Sequence, residues 1–299
     1  MDNPLFTLAT DDLKKLTDEE CKQALTALEQ GLVVYFPAYS FAAGKQTEAL
    51  LSETILDSRH KNVSYDHQKQ KLGAINKHHT HPNLSALLKS FMHDFAEYSH
   101  QLVNGLFPEY QAALRWGRTS YRPAEIKGRA LSKRKDDTRL HVDAFPATPV
   151  NGLRILRIFC NINPYGEPRV WDLGEPFPQV LNHFTDALPA YNPTIAKLLQ
   201  LIKATKTLRS AYDHYQLHLH DQMKLDDHYQ QTVAKTRFEF PSQSTWIVFT
   251  DQVSHAALAG QYLLEQTFYL PVCAMQNPKL SPLSYWEKEK GLNSHKEVV

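Results

Sequence analysis

Thr138-Arg139-Leu140-His141-Val142-Asp143-Ala144-Phe145 places an imidazole and a carboxylate two residues apart in a stretch of extended character. On a strand, positions i and i+2 project from the same face, so a strand over Arg139–Asp143 sets His141 and Asp143 side by side as two ligands for one metal. A divalent iron centre that must also bind a chelating cosubstrate and oxygen uses two histidines and one carboxylate on a single face and leaves the other positions open. A second, distant histidine is therefore required. Thr245-Trp246-Ile247-Val248-Phe249-Thr250-Asp251-Gln252-Val253-Ser254-His255-Ala256 reads as an apolar strand, a polar turn and a histidine entering the next strand. His255 is the expected third ligand.

Around this stretch the chain consists of short extended runs punctuated by Pro and Gly: Leu114–Arg122, Leu153–Ile162, Arg169–Leu173, Arg237–Phe240, Thr245–Phe249 and Tyr262–Val272. That rhythm predicts a mainly β fold, a sandwich or barrel built from 113–177 and 236–275. Between the two halves, Val180, Leu181, Phe184 and Leu188, then Ile195, Leu198, Leu199 and Ile202 after Asn192-Pro193, recur at helical spacing and mark 178–235 as a helical insertion. Ahead of the β core, Thr17-Asp18-Glu19-Glu20 is a capping-box pattern, Gly31 is a left-handed stop, and Leu32–Pro37 is a strand. Residues 42–82 read as mostly irregular surface. Leu84, Leu87, Leu88, Phe91, Phe95, Tyr98 and Leu102 form the stripe of an amphipathic helix that should pack on a sheet. The expectation is a single domain over 1–299: a wrapping region at 1–112, the β core, its insertion, and a tail at 276–299.

Composition sets outer limits. With 299 residues, 42% hydrophobic and 22% charged, the chain can bury a large core and is not disordered. A net charge of +1 gives no global case for nucleic acid. Cys21, Cys160 and Cys273 are too few and too scattered for a disulfide framework, which predicts a reducing, cytoplasmic setting, with Cys160 and Cys273 as small core residues. No window approaches the roughly 18 apolar residues of a membrane span, and the start lacks a signal-peptide pattern.

The arrangement resembles the iron(II)- and 2-oxoglutarate-dependent dioxygenases, whose fold is the double-stranded β-helix, or jelly roll, and whose metal triad is His-x-Asp with a late His. More narrowly, most of the chain resembles the Kdo hydroxylases, which act on 3-deoxy-D-manno-oct-2-ulosonic acid in Gram-negative lipopolysaccharide. The resemblance rests on Ser120-Tyr121-Arg122-Pro123, Arg139-Leu140-His141-Val142-Asp143-Ala144-Phe145-Pro146, Arg154-Ile155-Leu156-Arg157-Ile158-Phe159-Cys160-Asn161-Ile162-Asn163-Pro164 and Asp251-Gln252-Val253-Ser254-His255-Ala256. It implies Fe(II) held by His141, Asp143 and His255, with 2-oxoglutarate and O2 as cosubstrates and succinate and CO2 as coproducts. It further implies hydroxylation at the 3-position of Kdo on a lipid A precursor, in the cytoplasm or peripherally at the cytoplasmic face of the inner membrane.

Many of those enzymes hold the far carboxylate of 2-oxoglutarate with a cation shortly beyond the late histidine, where this chain reads Gly260-Gln261-Tyr262-Leu263-Leu264-Glu265-Gln266-Thr267-Phe268. The anchor must then come from another strand. Arg157 is the leading candidate, since a guanidinium among buried residues demands an anion, and Arg122 and Arg169 could converge on the same cavity. Each could equally be paired with an internal carboxylate; Arg154, on the opposite strand face, is expected to be structural. Lys127, Arg129, Lys133, Arg134 and Lys135 form either a solvated loop or a basic rim for an anionic sugar. His78-His79-Thr80-His81 and the pair His214 and His218 bring no obvious third ligand. Two other functions fit the same residues: a dioxygenase for another small molecule or a protein side chain, and a β-barrel module that binds a metal or ligand without catalysis.

Overall fold

The computed structural model describes residues 3–57, 59–128 and 131–292. Eleven strands form two sheets: β1 (Leu5–Thr7), β2 (Val33–Phe36), β3 (Val63–Asp66), β4 (Lys71–Gly73), β5 (Arg115–Arg122), β6 (Arg154–Asn161), β7 (Arg169–Leu173), β8 (Thr236–Phe240), β9 (Ser244–Phe249), β10 (His255–Ala259) and β11 (Leu263–Leu270). The major sheet runs β1-β2-β9-β6-β11-β5-β3-β4 and the minor sheet β10-β7-β8. All neighbouring pairs are antiparallel except β1 with β2. The expected double-stranded β-helix is the arrangement observed.

Strand parity decides which side chains meet. On β6, Leu156 and Ile158 join the cluster built on the N-terminal helices, while Phe159 joins the cluster between the sheets with Trp171, Phe240 and Trp246. Register carries this parity across the sheet. Arg157 lies beside Val248 of β9 and Thr267 of β11, and Glu265 lies beside Phe159 of β6 and Ser120 of β5. Arg122, Arg157 and Glu265 consequently face the space between the sheets.

Helices α1 (Asp18–Glu29) and α2 (Leu84–Leu106) cover the outer face of the major sheet. The capping box forms as read: Thr17 N–H donates to Glu20 Oε2 at 2.8 Å and Glu20 N–H to Thr17 Oγ1 at 3.2 Å. Gly31 takes the left-handed conformation at φ +88°. The insertion contains α3 (Phe177–Phe184), α4 (Pro193–Leu201), α5 (Ala211–Leu225) and α6 (Asp227–Thr232), and α7 (Pro282–Lys290) follows the β core. Buried Trp286 of α7 donates to Gln216 Oε1 of α5 at 2.9 Å, tying the C-terminal segment to the insertion.

Three local readings change. Residues 42–82 are not all irregular, because β3 and β4 extend the major sheet and Val63 and Tyr65 are fully buried. The extended stretch at Arg139–Asp143 makes one bridge, His141 opposite His255, since Leu140 N–H and C=O are instead taken by the Gln230 side chain at 2.9 Å each. Cys160 is buried as expected, but Cys273 is exposed, because Pro271 ends the last strand before it.

Arg154 is structural. Its Nε donates to Asp251 Oδ2 at 2.7 Å and its Nη2 to Gln252 Oε1 at 2.6 Å, with both partners of the ion pair wholly buried. Truncating one member leaves a buried charge uncompensated, so Arg154→Met should lower unfolding free energy by about 3–5 kcal/mol. The double variant Arg154→Met/Asp251→Leu should recover most of that in denaturant titrations. A single variant as stable as wild type would contradict the assignment.

Candidate metal centre

His141 and His255 face one another through a reciprocal backbone pair, His141 N–H to His255 C=O at 3.0 Å and the reverse at 2.9 Å. Asp143 is fixed in turn by its N–H donating to the Thr250 carbonyl at 2.7 Å. The three side chains, all buried, bring one ligand atom each to within 4.8 Å of one another. In both rings Nδ1–H donates to the carbonyl two residues back, Arg139 for His141 and Val253 for His255, each at 2.8 Å. That bond selects the tautomer whose Nε2 carries the lone pair. Burial, reinforced for His141 by the Lys224 charge, keeps both imidazoles neutral by lowering their pKa. Trp171 stacks on His255 with ring centres 5.1 Å apart, limiting rotation of that ring.

Asp143 is held ionised although buried, because the Arg157 guanidinium outranks its other stabilising neighbours; Nη1 lies 3.2 Å from Oδ2. Oδ2 nonetheless accepts no hydrogen bond among the described residues. A buried carboxylate oxygen without a donor, beside two imidazole lone pairs, is the donor set of a divalent transition metal with open positions, so these residues fit such an ion.

The three groups line a cavity of about 210 Å³ together with Lys61, Asn62, Arg122, Asp137, Arg157, Phe159, Arg169, Trp171, Ala257 and Glu265. Its four Lys and Arg side chains exceed its three carboxylates by one positive charge. The cations are unequally satisfied. Arg122 Nε and Nη2 donate to Glu265 Oε2 at 3.1 and 2.8 Å, and Arg157 Nη1 lies 3.3 Å from Glu265 Oε1 as well as near Asp143. Arg169 makes no ion pair among the described residues; its Nη1 donates to the Gly260 carbonyl at 2.8 Å and its Nε has no hydrogen bond. Burial, and then the nearby Arg122 charge, push its pKa down to about 9. Gly260, at φ +110°, is required there, since a Cβ would lie 2.9 Å from the Pro168 carbonyl oxygen.

The loop cations lie elsewhere. Lys133 pairs with Asp227 of α6 at 2.5 Å and Arg134 with Asp221 of α5 at 3.1 Å, Lys127 is exposed, and none of the three lines the cavity. Arg129 is outside the described residues. Lys61, held by Asp137 at 2.8 Å, is the lysine that does line it. His79 and His81 accept backbone N–H groups in a local turn, and the rings of His214 and His218 meet edge to face with centres 4.4 Å apart without joining a metal-ligating group of three among the described residues. Glu265 and Lys61 escape sequence reading. Glu265 carried a signal: an acidic residue at the inward parity of an otherwise buried strand.

Gln230 clamps Leu140, next to His141, by accepting from its N–H and donating to its C=O. Gln230→Leu leaves both groups unmatched and should loosen His141, weakening cobalt(II) binding roughly tenfold, as loss of groups that support a metal ligand does. Calorimetric titration would register it; unchanged affinity would assign the clamp to folding alone.

The chain matches the family model for 3-deoxy-D-manno-oct-2-ulosonic acid (Kdo) hydroxylase over residues 12–293. Crystal structures of the Kdo hydroxylase KdoO, a non-heme Fe(II) α-ketoglutarate-dependent dioxygenase, are similar throughout. The cobalt(II) complex is 43% identical with a TM-score of 0.94, covering 99% of each chain. The complex with α-ketoglutarate and Fe(III) is 43% identical with a TM-score of 0.92, again covering 99% of each. The complex with succinate and Fe(III) is 42% identical with the same TM-score of 0.92. No curated protein sequence matches the chain.

Proposed function

The chain belongs to the Kdo hydroxylase family, and we propose that it hydroxylates the 3-position of Kdo on a lipid A precursor as an iron(II)- and 2-oxoglutarate-dependent dioxygenase. The observation that carries this reading is the meeting of His141, Asp143 and His255 in one small cavity with Arg169, which makes no ion pair among the described residues. Bound iron would supply coordination for the 2-oxo acid and oxygen and the redox chemistry of hydroxylation.

The protein's own residues account for the rest. His141 and His255 would present Nε2, and Asp143 its charge, at the positions their backbone bonds already fix. Arg169 would grip the distal carboxylate of 2-oxoglutarate, with Arg157 and Arg122 shaping the field around it while Glu265 neutralises them in part. Phe159, Trp171 and Ala257 wall the cavity with apolar surface and keep water from the reacting carbon. The surplus positive charge, raised further by a divalent metal, suits a dianionic cosubstrate followed by the carboxylate of an acidic sugar. About 210 Å³ is below the roughly 300–1,000 Å³ of a drug-sized pocket, a size that suits small polar groups rather than acyl chains.

The test is incubation of the iron-loaded protein with 2-oxoglutarate and a Kdo-bearing lipid A precursor, with the product read by mass spectrometry. One added oxygen on the Kdo unit, matched by succinate, is the expected result. Succinate formation that ignores the Kdo substrate would point to another acceptor.

A further inference from the structure

Of the seven large apolar side chains that stand exposed among the described residues, five lie between Ile195 and Leu208: Ile195, Leu198, Leu201, Ile202 and Leu208. Helix α4 is turned the opposite way from an ordinary surface helix. Its spacing predicts an inward apolar stripe, yet the residue it buries is Ala196, at 3% exposure, while Leu201 at its end is 78% exposed. Charge over the same stretch is one-sided. Between Asp186 and Asp213 the chain has no carboxylate and carries Lys197, Lys203, Lys206 and Arg209, none of which forms an ion pair among the described residues.

We infer that α4 and the segment to Arg209 dock on an anionic lipid bilayer, Ile195, Leu198, Leu201 and Ile202 entering the interface and the cations meeting lipid phosphates. An apolar face fringed by unpaired cations matches a surface that has negative head groups above a hydrocarbon interior. A second copy of the chain is a poor occupant, since a two-fold contact would press these cations against one another. The segment is also wired to the site. Lys206 N–H donates to the Ala147 carbonyl at 3.0 Å and Arg209 Nη2 to the Pro146 carbonyl at 2.7 Å, a few residues beyond Asp143. Docking α4 would thereby hold the segment just beyond Asp143 against the membrane that carries the sugar. This last step rests on the proposed lipid-borne Kdo substrate; the docking itself does not.

Vesicle sedimentation tests the surface without substrate. The full-length protein should partition onto phosphatidylethanolamine vesicles containing phosphatidylglycerol, bind phosphatidylcholine vesicles weakly, and be released by salt. Ile195→Ser/Leu198→Ser/Leu201→Ser, three exposed positions, should reduce partitioning by about tenfold or more, and Lys197→Glu/Lys203→Glu/Lys206→Glu should do the same by the electrostatic route. Turnover of a water-soluble Kdo glycoside should be unchanged in both variants, which certifies the fold. Wild-type partitioning by either variant, or a wild-type dimer that the serine variant makes monomeric with no vesicle binding, overturns the inference. A wild-type protein that binds vesicles but leaves Kdo unmodified would overturn the proposed substrate instead.

Discussion

His141→Ala should abolish succinate formation coupled to substrate and lower cobalt(II) affinity by more than about a hundredfold, the upper end of what losing a mere supporting group costs. His141 is the cleanest of the three positions to remove. Asp143 also faces Arg157, so truncating it leaves a buried guanidinium short of an anion and mixes stability with metal binding. His255 stacks on Trp171, and its removal opens the core between the sheets. His141 gives up one ring whose Nδ1 bond is to its own neighbourhood, and the backbone bridge to His255 persists whatever the side chain. The thermal readout separates binding from folding. Metal at about a hundred times its dissociation constant stabilises the native state by about 2.7 kcal/mol, so chelation should lower the wild-type Tm by several degrees and leave that of His141→Ala unchanged. A variant that still gains stability from cobalt(II) would remove His141 from the metal site.

The residues that sequence could and could not supply divide along a physical line. Alternation along a strand is local, so His141 with Asp143, and the inward parity of Arg157, are legible from spacing. Pairing between strands is not local. Glu265 is recognisable as the partner of Arg122 only once β11 is known to lie between β5 and β6. The same limit explains why three arginines look alike in the sequence and differ in the fold, two answered by carboxylates and one by a carbonyl. Periodicity likewise locates α4 without giving the sign of its burial, since the spacing of Ile195, Leu198 and Ile202 is the same whether the stripe faces a core or the outside. Short polar strands such as β3 and β4 carry too few alternating residues to stand out, and their pairing partner supplies the stability that their composition does not advertise.

That inequality among the arginines makes Arg169→Ala the sharpest test of cosubstrate recognition. Arg122 and Arg157 already have Glu265 and Asp143, so a dicarboxylate gains little by displacing those anions, and removing either arginine leaves a buried carboxylate exposed to repulsion. Among the described residues Arg169 has only the Gly260 carbonyl, and burial beside the Arg122 charge lowers its pKa, so a bound anion would be favoured there. At about 9 it remains protonated at neutral pH and can bind a carboxylate. Losing a buried charge-assisted contact costs about 2–4 kcal/mol, which is a roughly 30- to 700-fold rise in KM for 2-oxoglutarate. A general loss of structure would also raise KM, so the deciding measurement is selectivity. Wild type should strongly prefer 2-oxoglutarate to 2-oxobutyrate, which lacks the distal carboxylate, whereas Arg169→Ala should treat the two nearly alike. If the preference survives in Arg169→Ala and disappears in Arg157→Ala, the grip on the distal carboxylate belongs to the strand that also steadies Asp143, and binding of the cosubstrate would then be coupled directly to the charge of a metal ligand.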